Sequence, residues 1–157
     1  MKNHSGAGIT LGFKNHFGTV EDPGNLHNRT FVTGQGSQYR LDYNPLVDIV
    51  KSPLIGPKTV LTIGDGIYGA WESQDITPRL WPNTFDDFPK SLFFAKDPVA
   101  IDSVMADFLD AEYGNWENSS RYLVLAQSAG LGVYEHVSNP LTNPAYAKID
   151  YQLVNLT

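Results

Sequence analysis

Cysteine is entirely missing from the 157 residues. Its absence excludes a disulfide framework, cysteine-ligated zinc, an iron–sulfur cluster held by this chain and a thiol nucleophile. A metal bound here would have to take histidine, carboxylate, amide or carbonyl donors. Positive charge is also scarce: 11 Lys and Arg stand against 17 Asp and Glu, and the net charge is -6. Without a basic face there is nothing to neutralise a phosphate backbone, so no nucleic-acid partner is expected. No window approaches the ~20 consecutive apolar residues of a membrane span. The first residues lack the charged-then-apolar order of a signal peptide. Several catalytic signatures are missing as well: the Gly-x-Ser-x-Gly elbow, His-Glu-x-x-His, the Walker loop and the dinucleotide fingerprint in strand–turn–helix context.

What is present reads as a single domain over 1–157, with 41% hydrophobic residues. Gly8–Phe17 spaces Ile9, Phe13 and Phe17 four apart, which predicts a short helix closed by Gly18. Thr19–Arg40 has little periodicity and reads as an extended loop. "YNPLVDIVKS" predicts a helix with Asn44 as N-cap and Pro45 at its first position. "KTVLTIGDG" and "SLFFAK" read as buried strands, with an irregular excursion over 67–90 between them. "DPVAIDSVMADFLDAEYG" is the clearest helix, capped by Asp97, opened by Pro98 and closed by Gly114. "SSRYLVLAQSAGLG" predicts a helix that starts after Ser119 or Ser120 and stops at Gly130, and "AKIDYQLVNL" predicts a last strand. The fold class is therefore α/β: a small, mostly parallel or mixed sheet flanked by helices, with long irregular loops. A helix in an α/β unit normally follows a strand, and the 8–17 segment has almost nothing before it. The chain is accordingly expected to be the C-terminal part of a longer domain.

Ligands in open α/β sheets gather where strands end and helices begin. Asp65, between two glycines at the end of a strand, reads equally as a turn-former and as a ligand. Asp97 before Pro98 reads as a cap. Asp102 lies beside the apolar stripe Ile101, Val104, Met105, Phe108 and Leu109, so it is expected to be partly buried and to need a partner: a cation, a metal or several donors. His4, His16 and His27 supply imidazoles, although none of their spacings is that of a helical metal motif.

Taken in order, "KNHSGAGITLGFKNHFG", His27, "TIGDGIYG", "FFAKDPVAIDSVMADF" and "SAGLG" resemble the domain-of-unknown-function family number 362. Its members typically show Lys-x-His after a strand, then a threonine, Lys-Asn and a glycine; later come a strand ending in Asp-Gly and an Asp-Pro-x-Ala-x-Asp helix start. The resemblance implies that Lys2, His4, Thr10, Lys14, Asn15, His27, Asp65, Asp97 and Asp102 match positions the family uses. Family members are usually longer and many carry ferredoxin-type cysteine clusters, which this chain lacks.

The function expected from these residues is metal-dependent hydrolysis of a small ester or lactone. Asp65 and Asp102 would hold calcium or magnesium through oxygen donors. His4 or His27 would act as base, and Lys14 or Asn15 would steady the developing oxyanion. Two other readings stand beside it. One is a redox enzyme whose cofactor domain lies elsewhere. The other is a binding or assembly module that forms a homodimer through an exposed sheet edge.

Overall fold

The longest helix is bounded as its end residues dictate. The computed structural model describes residues 1–4, 8–30, 40–71, 75, 77–114, 120–142 and 146–156. In chain order the elements are a 3₁₀ turn (Phe13–Thr19), α1 (Gly24–Thr30), α2 (Pro45–Lys51), a 3₁₀ turn (Gly56–Lys58), β1 (Thr62–Gly66), β2 (Ser91–Ala95), α3 (Pro98–Tyr113) and α4 (Arg121–Ser128). At the start of α3, Asp97 Oδ1 accepts from the N–H groups of Val99 and Ala100 at 2.8 and 2.9 Å. At its end Gly114 takes φ 94°, a left-handed conformation that costs glycine little.

The expected stripe of α3 is buried, but so are Val99, Ala100, Asp102, Ser103, Ala106, Asp107 and Glu112. A helix covered all round needs partners for its polar groups, and acidic side chains at 97, 102, 107 and 112 provide them. Each five-residue step turns about 140° around the axis, so these carboxylates fan out in different directions. Asp97 accepts from Val133 N, Asp102 from Gly12 N and Phe13 N, Asp107 from Val137 N, and Glu112 from Asn83 N and Thr84 N. Segments that have no sheet neighbour thus place their buried N–H groups on α3.

The sheet departs from expectation. β1 and β2 pair antiparallel, with Ile63 opposite Phe94 and Asp65 opposite Leu92. This corrects the mostly parallel or mixed arrangement, while the α/β class stands. Neither strand is covered on both faces, since Ile63 and Phe94 are each 60% exposed and Leu92 is 54% exposed. An apolar run shows that a strand is greasy but not whether both faces are covered. The inward face lies against α3, where a Cβ on Gly64 would overlap the Met105 side chain. Gly64 of "TIGDG" therefore serves close strand–helix packing, and Gly66 makes room for the Phe93 ring of the paired strand.

Three other expectations are corrected or completed. Helical structure starts at Phe13, because Gly8 sits at φ 78° and Thr10 N–H donates instead to Lys2 O at 2.8 Å. The loop expected over 19–40 contains α1, and its 31–39 stretch lies outside the described residues. The last strand is not formed among the described residues: the N–H groups of Ala147, Lys148 and Ile149 all go to the Glu135 carboxylate, which leaves them no ladder to join. α2 forms as its cap requires, with Leu46 N donating to Asn44 Oδ1 at 2.9 Å. α4 stops ahead of Gly130 at φ 75°; of its two candidate caps, Ser120 holds the position and Ser119 lies outside the described residues.

Candidate functional site: a cleft beside β1

Among the described residues β1 pairs with β2 on one side only. Along its other side runs a cleft with a volume of about 350 Å³. Its far wall is the Thr10–Asn15 segment, and its polar lining comes from Thr10, Asn15, Thr62 and Asp65. Leu11, Leu61, Ile63 and Met105 supply the apolar remainder, a proportion suited to a small ligand.

The far wall is fixed by Asp102. This residue is fully buried; its Oδ1 accepts from Gly12 N at 2.7 Å, and its Oδ2 accepts from Phe13 N at 3.0 Å and the Tyr122 hydroxyl at 2.7 Å. Burial pushes its carboxyl up to about 6, against the three hydrogen bonds that favour the charged form. Gly12 is needed here because a Cβ would come within 2.8 Å of both Asp102 Oδ1 and Thr62 Cγ2. Asp102 therefore has several donors as partners, one of the three kinds it was expected to need, and its carboxylate lies behind the cleft wall. Asp65 is exposed at the cleft, with Oδ1 accepting from Ile67 N at 2.9 Å as in an Asx turn. The two aspartates expected to share a metal thus occupy different settings: one is saturated and internal, the other open.

The remaining candidates fall into two neighbouring groups. His4 and His27 lie with ring centroids 5.3 Å apart, and His27 meets Phe17 edge-on at 5.1 Å. His27 Nδ1 is 3.2 Å from Pro23 O. The buried Lys14 ammonium donates to Thr10 Oγ1 at 3.1 Å and to Gly8 O at 3.4 Å, and lies 5.5 Å from the Phe17 ring centre. Asn15, by contrast, is exposed on the cleft wall beside Thr10. Thr10 joins the groups, since its hydroxyl accepts from Lys14 and the residue lines the cleft.

Reasoning from sequence missed Tyr122, which completes the Asp102 clamp. It also missed a second convergence, in which ligand atoms of Asp107, Asp110 and His136 lie within 4.8 Å of one another. Asp107 and Asp110 were open to detection as a one-turn pair on a helix; His136 comes from a distant segment and carried no such signal.

These features define a small α/β protein with a polar cleft at a strand edge. The family model described as Domain of unknown function (DUF362) matches residues 1–107, and the chain belongs to that family. The match ends within α3, so the "SAGLG" segment that contributed to the resemblance lies beyond it. No curated protein and no solved structure matches the chain significantly.

Proposed function

We propose that the cleft beside β1 binds a small ester or lactone and promotes its hydrolysis with the help of a divalent cation. The observation that carries this reading is the meeting of Thr10, Asn15 and Asp65 around one cavity, with Lys14 bonded to the cleft residue Thr10. A carboxylate, an amide oxygen and a hydroxyl are hard donors suited to calcium or magnesium. Such a cation would polarise the substrate carbonyl and make a bound water more acidic. Asp65 supplies the negative charge, Asn15 an amide able to face a developing oxyanion, and the His4–His27 pair, which meets the same Phe17 ring as Lys14, a proton acceptor. The apolar wall of Leu11, Leu61 and Ile63 suits the non-reacting part of a small substrate.

A panel of small esters and lactones, assayed with calcium or magnesium and after chelation, tests this. Hydrolysis should fall to background after chelation and drop about 100-fold or more in Asp65→Asn. Turnover that survives chelation, or is unchanged in Asp65→Asn, overturns the reading.

A second reading is favoured by one specific observation. The outward face of the β1–β2 pair presents Ile63, Leu92 and Phe94, all more than half exposed, and an isolated two-stranded sheet is marginal in water. Pairing with a second copy along the edge of β1 would extend the sheet beyond two strands, and Ile63, Leu92 and Phe94 would then belong to a larger apolar face. Sedimentation at several concentrations checks it: a dimer that dissociates in Ile63→Lys supports the assembly, and a monomer throughout removes it.

A further inference from the structure

Behind the cleft, α3 carries a second chemical constellation that the hydrolytic reading does not use. Asp107 and Asp110 are three residues apart, so their side chains leave the same face of the helix. His136 comes to them from the segment that follows α4. The three are graded in exposure: Asp107 is buried, Asp110 is intermediate and His136 is exposed, which leaves an approach from solvent.

The Asp107 carboxylate is held in an oriented state. Its Oδ2 accepts from Val137 N at 3.0 Å and from the Tyr146 hydroxyl at 2.8 Å, which leaves Oδ1 directed at His136 Nδ1, 2.5 Å away. Metal-binding carboxylates are commonly fixed in this way, with one oxygen on the ion and the other engaged by protein donors. The composition of the cluster points in the same direction. Among the described residues no lysine or arginine acts on Asp107; burial and its hydrogen bonds to His136, Tyr146 and Val137 set its state. A second carboxylate converges on it, so two acidic groups gather around a single imidazole.

We infer that Asp107, Asp110 and His136 form a binding site for a divalent transition ion of the zinc type, separate from the cleft. One imidazole and two carboxylates are a borderline donor set that suits zinc, cobalt or manganese better than calcium, which prefers oxygen alone. The ion would replace the proton that His136 Nδ1 now shares with Asp107 Oδ1. With three protein ligands, a fourth tetrahedral position remains for water. Because His136, Val137 and Tyr146 all reach Asp107, the bound ion would also lock the segment after α4 onto α3.

The test titrates metal-free protein with Zn²⁺ and with Co²⁺, read by calorimetry, the visible absorption of bound cobalt and thermal unfolding. The intact chain should bind one ion and melt at higher temperature in its presence. His136→Ala and Asp110→Asn should each weaken binding about tenfold or more, since even losing a residue that only orients a ligand has that effect. Asp65→Asn should bind zinc and cobalt as the unmodified chain does. Both informative side chains are at least partly solvent-accessible, so the variants are expected to fold; unfolding without metal verifies this. No saturable binding, binding unchanged in both variants, or equal weakening by Asp65→Asn overturns the site. The last outcome would place the ion in the cleft, so failure here is distinguishable from failure of the hydrolytic proposal.

Discussion

Asp102 and Asp107 stand five residues apart on α3 and invite comparison. Each accepts from a tyrosine hydroxyl and from backbone N–H of a distant segment, and burial pushes each carboxyl up to about 6. They differ in what lies on the other side. Around Asp102 every donor is neutral, and Phe13 N–H and the Tyr122 hydroxyl are buried, so the group is a staple between α3, the Gly12–Phe13 backbone and α4. At Asp107 one partner is His136, whose side chain is 50% exposed, so the same kind of clamp opens toward solvent. Similar carboxylates on one helix thus become internal fastener or reachable ligand according to the accessibility of a single neighbour.

The largest effect that would sharpen the contrast comes from deleting Asp102. Asp102→Ala leaves Gly12 N–H, Phe13 N–H and the Tyr122 hydroxyl without their acceptor, the last two in buried positions. Loss of about 3–5 kcal/mol is expected, measured by urea unfolding. The cleft wall should loosen with it, since Gly12 lines the cavity. If Asp102→Ala costs no more than His136→Ala, the distinction between the two aspartates fails. One step smaller is the tyrosine pair. Tyr122→Phe should cost about 1–2 kcal/mol, and Tyr146→Phe somewhat less, because Tyr122 is the more buried. Zinc affinity should respond in the opposite order, falling about tenfold in Tyr146→Phe and staying unchanged in Tyr122→Phe.

How legible this was depends on the range of the interactions. The bounds of α2 and α3 followed from Asn44-Pro45, Asp97-Pro98 and Gly114 because capping is settled within a turn of the chain. Burial of Asp102 and its need for partners also followed, from its position beside the apolar stripe. The identity of those partners did not, because Gly12 and Tyr122 are brought to it only by the tertiary fold. The C-terminal strand misled for the same reason: "AKIDYQLVNL" has strand-like composition, but the carboxylate of Glu135 takes the N–H groups of its first three residues. Lys14, His4 and His27 were legible as a polar set through the family resemblance, whereas the division between their cluster and the Asn15–Asp65 cleft needed coordinates.

The acid range offers a subtler contrast. The folded-state carboxyl of Asp102, at about 6, lies above its ordinary value of 3.8. The folded chain therefore binds this proton more tightly than the unfolded chain, and the associated stability is fully present below pH 3.8 and lost as pH rises through about 6. Asp102 alone should contribute a slope of up to about 1.4 kcal/mol per pH unit across that window. Urea unfolding of the intact chain and of Asp102→Asn at stepped pH isolates it: the slope should flatten by about one proton's worth in the variant. Identical slopes would mean that the staple hydrogen bonds hold Asp102 charged throughout, and would leave no electrostatic likeness between it and Asp107.

The glycines that let these elements approach supply a last contrast. Gly12 and Gly64 both sit where a Cβ would intrude, but on different obstacles. At Gly12 the obstacles are Asp102 Oδ1 and Thr62 Cγ2, each 2.8 Å away, and the first is pinned by its own hydrogen bonds. At Gly64 the obstacle is the end of the Met105 side chain, which can rotate aside. Gly12→Ala should cost about 2 kcal/mol and Gly64→Ala about 1 kcal/mol, read as shifts in the urea midpoint. Zinc binding should persist in both, because the side chains nearest to the two glycines are Asp102, Thr62, Met105 and Phe93 and not those of the Asp107 cluster. Equal costs at the two glycines would show that the Asp102 staple yields as readily as a methionine.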